Sequence, residues 1–581
     1  MKSTIASAAI LSLLVCAAPR AQLAKDVTLE PFYDVTKAGL SFAVDKQSTS
    51  GLYEVPGKPQ HFLVLGFWGF VWTLYPDTTK TYAPGAIKDY KKKQVADFNN
   101  VIMKYWEQGA TGAAFDPWFA ENHYFYIIFN KYRTAAEYHK GTAPNQNGGH
   151  DGFDVAGLVV VERWKLSDDY ASLTRDTTIF VAEHGVGVGS SNMTFGKDGL
   201  LYITTDSYSQ NGWDSTIYMR KILRIDVRKP EGNKMYTIPK DNPFYTAANP
   251  AVKKEIYAYG FRNTYAIQGD YLTGSIWGAE VGEGTWEEIN IIKPGKNYGW
   301  GNGGDISQSG PNSIGIEGPC SPTSGGFTST SADTANTNGA TQQTPFTRTW
   351  RGKTYTCADF TNGTWNFAHS GNDAYGSKTA LPGTGISCIM VSQAFRGDPT
   401  SPLYGYHFVT DVASNYFIAV KEGLAGATKV GGWPADLEEF TGDKSHNGIT
   451  SFGEDAYGNM YVTALSSSGN GAYAYHDIYR MSSPSMKALT VPRGQVHPVA
   501  LHAPEGELRY QERGGRVTGD LFSYVAHGQG KDWIRLPHGR TGASLYGMDG
   551  KLLWTGHGAA GAALTVPMHI GAGALWARFL P

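Results

Sequence analysis

Asp198-Gly199-Leu200-Leu201-Tyr202-Ile203 and, far along the chain, Tyr457-Gly458-Asn459-Met460-Tyr461-Val462 share one design, a turn containing glycine that leads into a short apolar and aromatic run. Runs of the same size recur at residues 61–65, 70–74, 124–129, 157–161, 222–227, 275–279, 406–409, 416–420 and 478–481, bounded by Gly, Asp, Asn and Pro. Such segments read as β-strands. Sustained helical periodicity is absent, so helix is the minority state. Many small sheets that each bury two faces against neighbours require a blade-by-blade architecture, and the expected class is all-β.

The composition agrees. Of 581 residues, 71 are Gly and 34 are Tyr, which suits short strands joined by tight turns better than long helices. A formal net charge of -2 supplies no basic excess for a phosphate backbone, so nucleic acid is not an expected partner. Lys2 followed by an apolar run to Ala18 has the order of a secretory signal, predicting a signal peptide over 1–21 with cleavage after Ala18 or Ala21. That run is too short to span a bilayer comfortably, and no later stretch is apolar enough, so no transmembrane helix is expected. Cys16 would leave with the signal. Cys320, Cys357 and Cys388 remain, giving one disulfide and one free thiol in a secreted, extracellular or surface protein, with a periplasmic site also open.

Two stretches break the pattern. Residues 301–347 are Gly, Ser, Thr and Asn with few large apolar side chains, which reads as an insertion, either solvated or pinned by Cys320, with a lid as the alternative. Ser482-Ser483-Pro484-Ser485 opens a linker over 482–497, and 498–581 carries a strand pattern of its own with an Asp549-Gly550 hairpin turn. Lys91-Lys92-Lys93 reads as a solvated turn. The glycine-rich 185–189 lacks the Gly-Lys-Ser/Thr of a phosphate loop, and 147–152 offers one histidine beside one carboxylate, so both read as loops.

Over about residues 27–481 the chain resembles the glucose/sorbosone dehydrogenase family, which includes soluble pyrroloquinoline-quinone (PQQ) glucose dehydrogenases and hedgehog-interacting-protein-like proteins. The markers are Gly109 to Ala120, Lys221-Ile222-Leu223-Arg224-Ile225-Asp226, Ile238-Pro239-Lys240-Asp241-Asn242-Pro243-Phe244 and Glu255 to Asn263. The most specific are Glu280-Val281-Gly282-Glu283, Trp286-Glu287-Glu288-Ile289-Asn290 and Gly295-Lys296-Asn297-Tyr298-Gly299-Trp300. All stand in the family's order. The resemblance implies a six-bladed β-propeller, followed here by a small C-terminal β-sandwich-like domain.

It also implies a site. In the family's enzymes PQQ lies over the central channel, held by basic side chains and Ca2+, because a cofactor with three carboxylates needs cations and a hard ion polarises the carbonyl that accepts hydride. Arg262 and Asn263 match cofactor-binding positions, Lys444 and His446 fall where the enzymes place arginines, and Gly282 and Glu283 match the two calcium-holding carbonyls. Val188 stands where the catalytic histidine belongs, which leaves His184 as the nearest candidate base, and Asp206 is the nearest match to the aspartate of the following Thr-Gly-Asp motif. Ala413 replaces an expected lysine. The implied function is a secreted quinoprotein-type aldose dehydrogenase; the alternative is a non-catalytic propeller that binds a glycan or surface partner. Leu545-Tyr546, Gly550-Lys551-Leu552, Val566-Pro567 and residues 573–579 resemble a type IX secretion sorting domain, implying outer-membrane export machinery as a partner.

Overall fold

Strand pairing gathers the runs into six blades of four antiparallel strands, the last two joined edge to edge by a short parallel pairing of Asp26 and Val27 with Thr441 and Gly442. The computed structural model describes residues 26–33, 49–82, 86–103, 108–133, 157–184, 191–207, 211–282, 286–301, 317–322, 325–329, 340–368, 388–412, 417–422, 438–442, 447–465 and 476–493, and six strands between 526 and 580. Blade one is Thr49–Glu54, Phe62–Gly66, Phe70–Pro76 and Tyr90–Asp97. Blade two is Ala110–Phe115, Tyr124–Tyr132, Gly157–Leu166 and Leu173–His184. Blade three is Met193–Phe195, Leu201–Thr205, Lys221–Ile225 and Ile256–Tyr259. Blade four is Thr264–Gly269, Ile276–Glu280, Trp286–Ile291 and Trp365–Ala368. Blade five is Ile389–Ala394, His407–Asp411, Phe417–Val420 and Glu438–Gly442.

Blade six joins the two ends of the ring. Asn447–Glu454, Met460–Leu465 and His476–Ser482 are followed, on the outside, by Asp26–Tyr33, which pairs antiparallel with His476–Ser482. The first strand of every blade lines one central cavity, so the six sheets stand around a common axis as a β-propeller. Inner strands are covered on both sides by neighbouring blades, and their apolar runs are accordingly continuous. Every residue of Leu201–Thr205 and of Trp286–Ile291 is buried. Trp277 of blade four, wholly buried, stacks on His407 of blade five at 3.9 Å between centroids. Helix among the described residues is limited to the single turn Phe119–Asn122 and the 3-10 turn Cys357–Asp359.

One end of the ring is built by a repeated device. Where the first strand turns into the second, an aspartate accepts the amide two residues on: Trp118 to Asp116 (2.8 Å), Leu200 to Asp198 (3.1 Å), Leu272 to Asp270 (2.9 Å), Thr400 to Asp398 (2.8 Å) and Tyr457 to Asp455 (2.9 Å). A short carboxylate does this because it reaches its own backbone and closes the turn. In three blades the other carboxylate oxygen accepts a tyrosine hydroxyl from the second strand, Tyr126, Tyr202 and Tyr461, at 3.0, 2.9 and 2.8 Å. The glycine turns quoted at the outset belong to this end, with Gly199 and Gly458 at φ 72 and 77°.

Three expectations change in detail. The Lys91 to Lys93 run lies on the outer strand of blade one rather than in a turn, though it is largely solvated, and Lys91 pairs with Asp77 at 2.9 Å. The segment after Ser482 is no free linker as far as Arg493. Ser483 and Ser485 are buried, Ser485 accepts the Ser401 hydroxyl, and Arg493 pairs with Glu454 at 2.6 Å, straps that Ser/Pro composition does not reveal. The insertion leaves between the third and fourth strands of blade four and contains strands: the sheet Glu317–Ser321, Gly325–Ser329 and Ala340–Gln343, then the hairpin Thr347–Trp350 with Lys353–Thr356. A Cys320–Cys357 disulfide pins it, and Cys388 takes no part in a disulfide. In the C-terminal stretch, Ala526–Gly528, Lys531–Arg535 and Ala563–Val566 form one three-stranded sheet, and Leu552–His557, Gly542–Tyr546 and Trp576–Leu580 another. The expected signal peptide and residues 494–497 lie outside the described residues.

Candidate active site

Antiparallel connectivity puts the starts of first strands, the ends of second strands and the ends of outer strands on one face of the ring, opposite the aspartate turns. Asp206 follows the second strand of blade three, Gly282 follows that of blade four, Arg262 and Asn263 cross from blade three to blade four, and His184 ends the outer strand of blade two. The topology thus brings all five to a single loop face. Lys444, His446, Glu283, Val188 and Ala413 lie outside the described residues.

The crossover between blades three and four is the most determined part. Gly260 has φ 82°, and a Cβ there would strike the Asn297 side chain, so a close backbone approach makes glycine necessary. Tyr298 donates to the Tyr259 carbonyl at 2.9 Å and Trp300 to the Gly260 carbonyl at 2.8 Å, which returns the chain alongside the crossover and sets the Trp300 indole on the loop face. Trp213 fixes the same stretch by donating from its indole to the Gly299 carbonyl at 3.0 Å. Beneath the crossover, the Glu280 carboxylate accepts the amides of Arg262 and Asn263, the latter at 3.0 Å, and the Thr264 hydroxyl at 2.6 Å. Burial pushes the Glu280 carboxyl up to about 7 against the pull of those donors.

The Arg262 side chain is nearly buried, donates to the Val281 carbonyl at 3.1 Å and lies 5.9 Å from the Trp300 ring centroid. Arg220 lies 5.5 Å from the same ring. Lys221, fully buried, donates to the Gly212 and Met219 carbonyls at 2.8 Å each, and burial lowers its ammonium to about 7. Gly282 donates to Glu287 at 3.0 Å, and the other Glu287 oxygen accepts the Ile389 amide at 3.0 Å, tying the candidate calcium loop to blade five. Asp206 is buried and accepts the Ser207 amide at 2.5 Å. His184 is buried at the outer edge of blade two, where a Cβ on Gly157 would fall 2.5 Å from its Nε2.

The central cavity encloses about 190 Å3 and is lined by Ser50, Thr111, Asn192, Gln268, Gln393, Ser451 and their neighbours. That is below the ~300–1,000 Å3 of ordinary ligand pockets. Among the described residues, none of Arg262, Asn263, Gly282, Asp206 and His184 lines it, so the loop face rather than the channel is the candidate chamber. Reading residue types had missed Arg220 and the role of Trp300. The available signal was Arg220-Lys221, two cations at the mouth of an otherwise apolar run.

Residues 79–312 match the family model described as Glucose / Sorbosone dehydrogenase. The HIPL2 protein of Arabidopsis thaliana is 30% identical over 230 residues, 33% of this chain and 32% of its own length. Quinoprotein glucose dehydrogenase B of Acinetobacter calcoaceticus is 27% identical over 220 residues, 34% of this chain and 40% of its own length. Matches to curated relatives span from 18% to 40% of the relative's length. The solved structure of the soluble aldose sugar dehydrogenase (Asd) from Escherichia coli in the apo-form covers 78% of this chain and 99% of its own, at 16% identity and a TM-score of 0.47.

Proposed function

We propose that the protein is a quinoprotein-type sugar dehydrogenase that uses PQQ and Ca2+ to oxidise an aldose at its anomeric carbon, a reading supported by the match of residues 79–312 to the Glucose / Sorbosone dehydrogenase family model. The observation that carries this reading is Arg262, a nearly buried cation held beside the flat Trp300 indole by a crossover locked onto Glu280. A planar ligand bearing carboxylates needs a fixed cation and a flat apolar surface, and this corner supplies both. When bound, PQQ would accept the hydride from the sugar carbon and Ca2+ would polarise its carbonyl. Gly282, with its amide occupied by Glu287, has its carbonyl to offer a hard cation, with Glu283 as the second donor in this reading. The sugar hydroxyl proton goes to His184, which must turn from its packing beside Gly157 to receive it. The same reading places the protein outside the cytoplasm, exported through the 1–21 signal and a sorting segment in 498–581; fractionating cells that express the chain with and without 498–581 tests that part.

Val188 and Ala413 at positions where the family's enzymes carry a base and a lysine favour a second reading, a propeller that binds a glycan without oxidising it. One experiment separates the two. The purified chain is titrated with PQQ, with and without Ca2+, by tryptophan fluorescence, and then assayed on aldoses with an artificial electron acceptor. We expect binding that Arg262→Gln weakens roughly 10- to 100-fold, as loss of a charge-assisted contact does, together with sugar-dependent turnover. Binding without turnover supports the second reading, and no PQQ binding by the wild-type chain overturns the first.

A further inference from the structure

We propose that residues 483–493 form a stopper for the central channel, with Arg493 capping its turn-face mouth, so that solutes enter the ring from the loop face alone. The inference does not depend on the functional reading above.

The first observation is where Arg493 sits. The channel wall ends at Gly269 of blade four, Gln393 of blade five and Phe452 of blade six. Two residues past the first and the last of these, Tyr271 and Glu454 hold Arg493. Its Nη1 donates to the Tyr271 hydroxyl at 2.5 Å, and its Nη2 pairs with Glu454 at 2.6 Å and donates to the Asp455 carbonyl at 3.0 Å. Blades four and six are not neighbours. A single side chain that touches both has to cross blade five, and it does so just beyond the last residues that line the channel. Blade one closes in from the other side, because Glu54, next after the channel-lining Tyr53, accepts the Ala456 amide at 2.6 Å.

The second observation is how the segment is fastened. The Ser401 hydroxyl and the Asp398 amide of blade five donate to the Ser485 and Lys487 carbonyls, the latter at 2.6 Å. The Leu489 amide donates to the Tyr457 carbonyl at 2.8 Å and the Arg493 amide to the Ala456 carbonyl at 2.7 Å, so blade six holds the far end. A Cβ on Gly397 would fall 2.2 Å from the Lys487 carbonyl, and one on Gly458 would fall 2.5 Å from the Gly397 Cα, so two glycines clear the path. A solvated linker needs none of these bonds. Nor would a cation serving only solubility be drawn, 18% exposed, against a carboxylate side chain 13% exposed, since such a pair gives up hydration on both sides. Arg493, from which the C-terminal stretch continues, is thereby held on the face opposite the candidate chamber.

The test uses the full chain with Cys16→Ser and Cys388→Ser, and reads the rate at which iodoacetamide alkylates one added thiol. Gln393→Cys reports the turn-face end of the channel and Ser50→Cys, at the start of a first strand, the loop-face end. Ser50→Cys should react faster while the stopper is in place. Arg493→Met removes the charge-assisted contacts and should raise the Gln393→Cys rate roughly 10- to 100-fold, with the Ser50→Cys rate within about twofold. If Arg493→Met does not fold, Tyr271→Phe deletes one of the bonds to Arg493 and should give a smaller rise, roughly tenfold or less. An unchanged Gln393→Cys rate in the folded variant overturns the inference. So does an equal rise at both thiols, because the ring as a whole would then have loosened.

Discussion

At the turn face of the propeller Asp116, Asp198, Asp270, Asp398 and Asp455 all make the same bond to the amide two residues on, whereas at the loop face the described blades each present a different set of side chains. Blade three offers Arg220 and Lys221 there, blade four Arg262, Glu280 and Glu287, and blade two His184. The turn face repeats because every blade poses the same problem, a tight reversal whose amide needs an acceptor. The loop face does not repeat, and it pays for the difference with a strained Arg220, an ammonium buried at Lys221 and a carboxyl held near neutrality at Glu280. Departure from the repeat, more than burial or charge alone, marks where ligand chemistry belongs.

The contrast breaks if turn-face changes disturb ligand binding as much as stability. The largest effect is expected at Asp270–Arg396, 2.5 Å apart with both side chains at most 3% exposed, where blade four meets blade five. Arg396→Met leaves Asp270 buried without its cation and should cost about 3–5 kcal/mol in urea unfolding. PQQ affinity of the folded fraction should be unchanged, and a parallel loss of affinity would show that the two faces are coupled.

A smaller effect concerns Lys221 on the loop face. Its folded pKa of about 7 lies below the ordinary 10.5, so between those values the unfolded chain holds a proton that the folded chain lacks. Stability from this group is therefore present at high pH and lost as pH falls toward 7, with a slope of at most about 1.4 kcal/mol per pH unit. Unfolding free energies at pH 8 to 10 should rise with pH in the wild type and stay flatter in Lys221→Met. Equal slopes would mean that Lys221 stays charged in its pocket.

The smallest effects sharpen the repeat itself. Tyr126→Phe, Tyr202→Phe and Tyr461→Phe each delete one hydroxyl bonded to a turn aspartate, and each should cost about 1 kcal/mol. If the three costs differ severalfold, the turns are alike in geometry but not in energy.

Much of the fold was legible because its signals are local. A glycine at positive φ before an apolar run, as at Gly199 and Gly458, announces a turn and a strand within a few residues. The crossover Arg262–Asn263 and the Glu280–Gly282 loop were legible for the same reason, as contiguous motifs. Ser483 to Arg493 was not, since nothing in a Ser/Pro stretch says that its backbone will be bound by the turn face. Arg220 and Trp300 stand 80 positions apart in numbering and meet only because residues 297–300 return along Gly260.

By itself, then, the sequence determined the all-β class, the strand runs, the order of the motifs and a net charge without basic excess, all properties of neighbouring residues or of totals. Only the tertiary structure decided that Asp26–Tyr33 closes the last blade, that Cys320 bonds Cys357 rather than Cys388, and that two arginines face one indole. The physical reason is that each of these is a contact between segments far apart in the chain. Their meeting is fixed by how six sheets share an axis, and that depends on the packing of all the blades together rather than on any stretch of them.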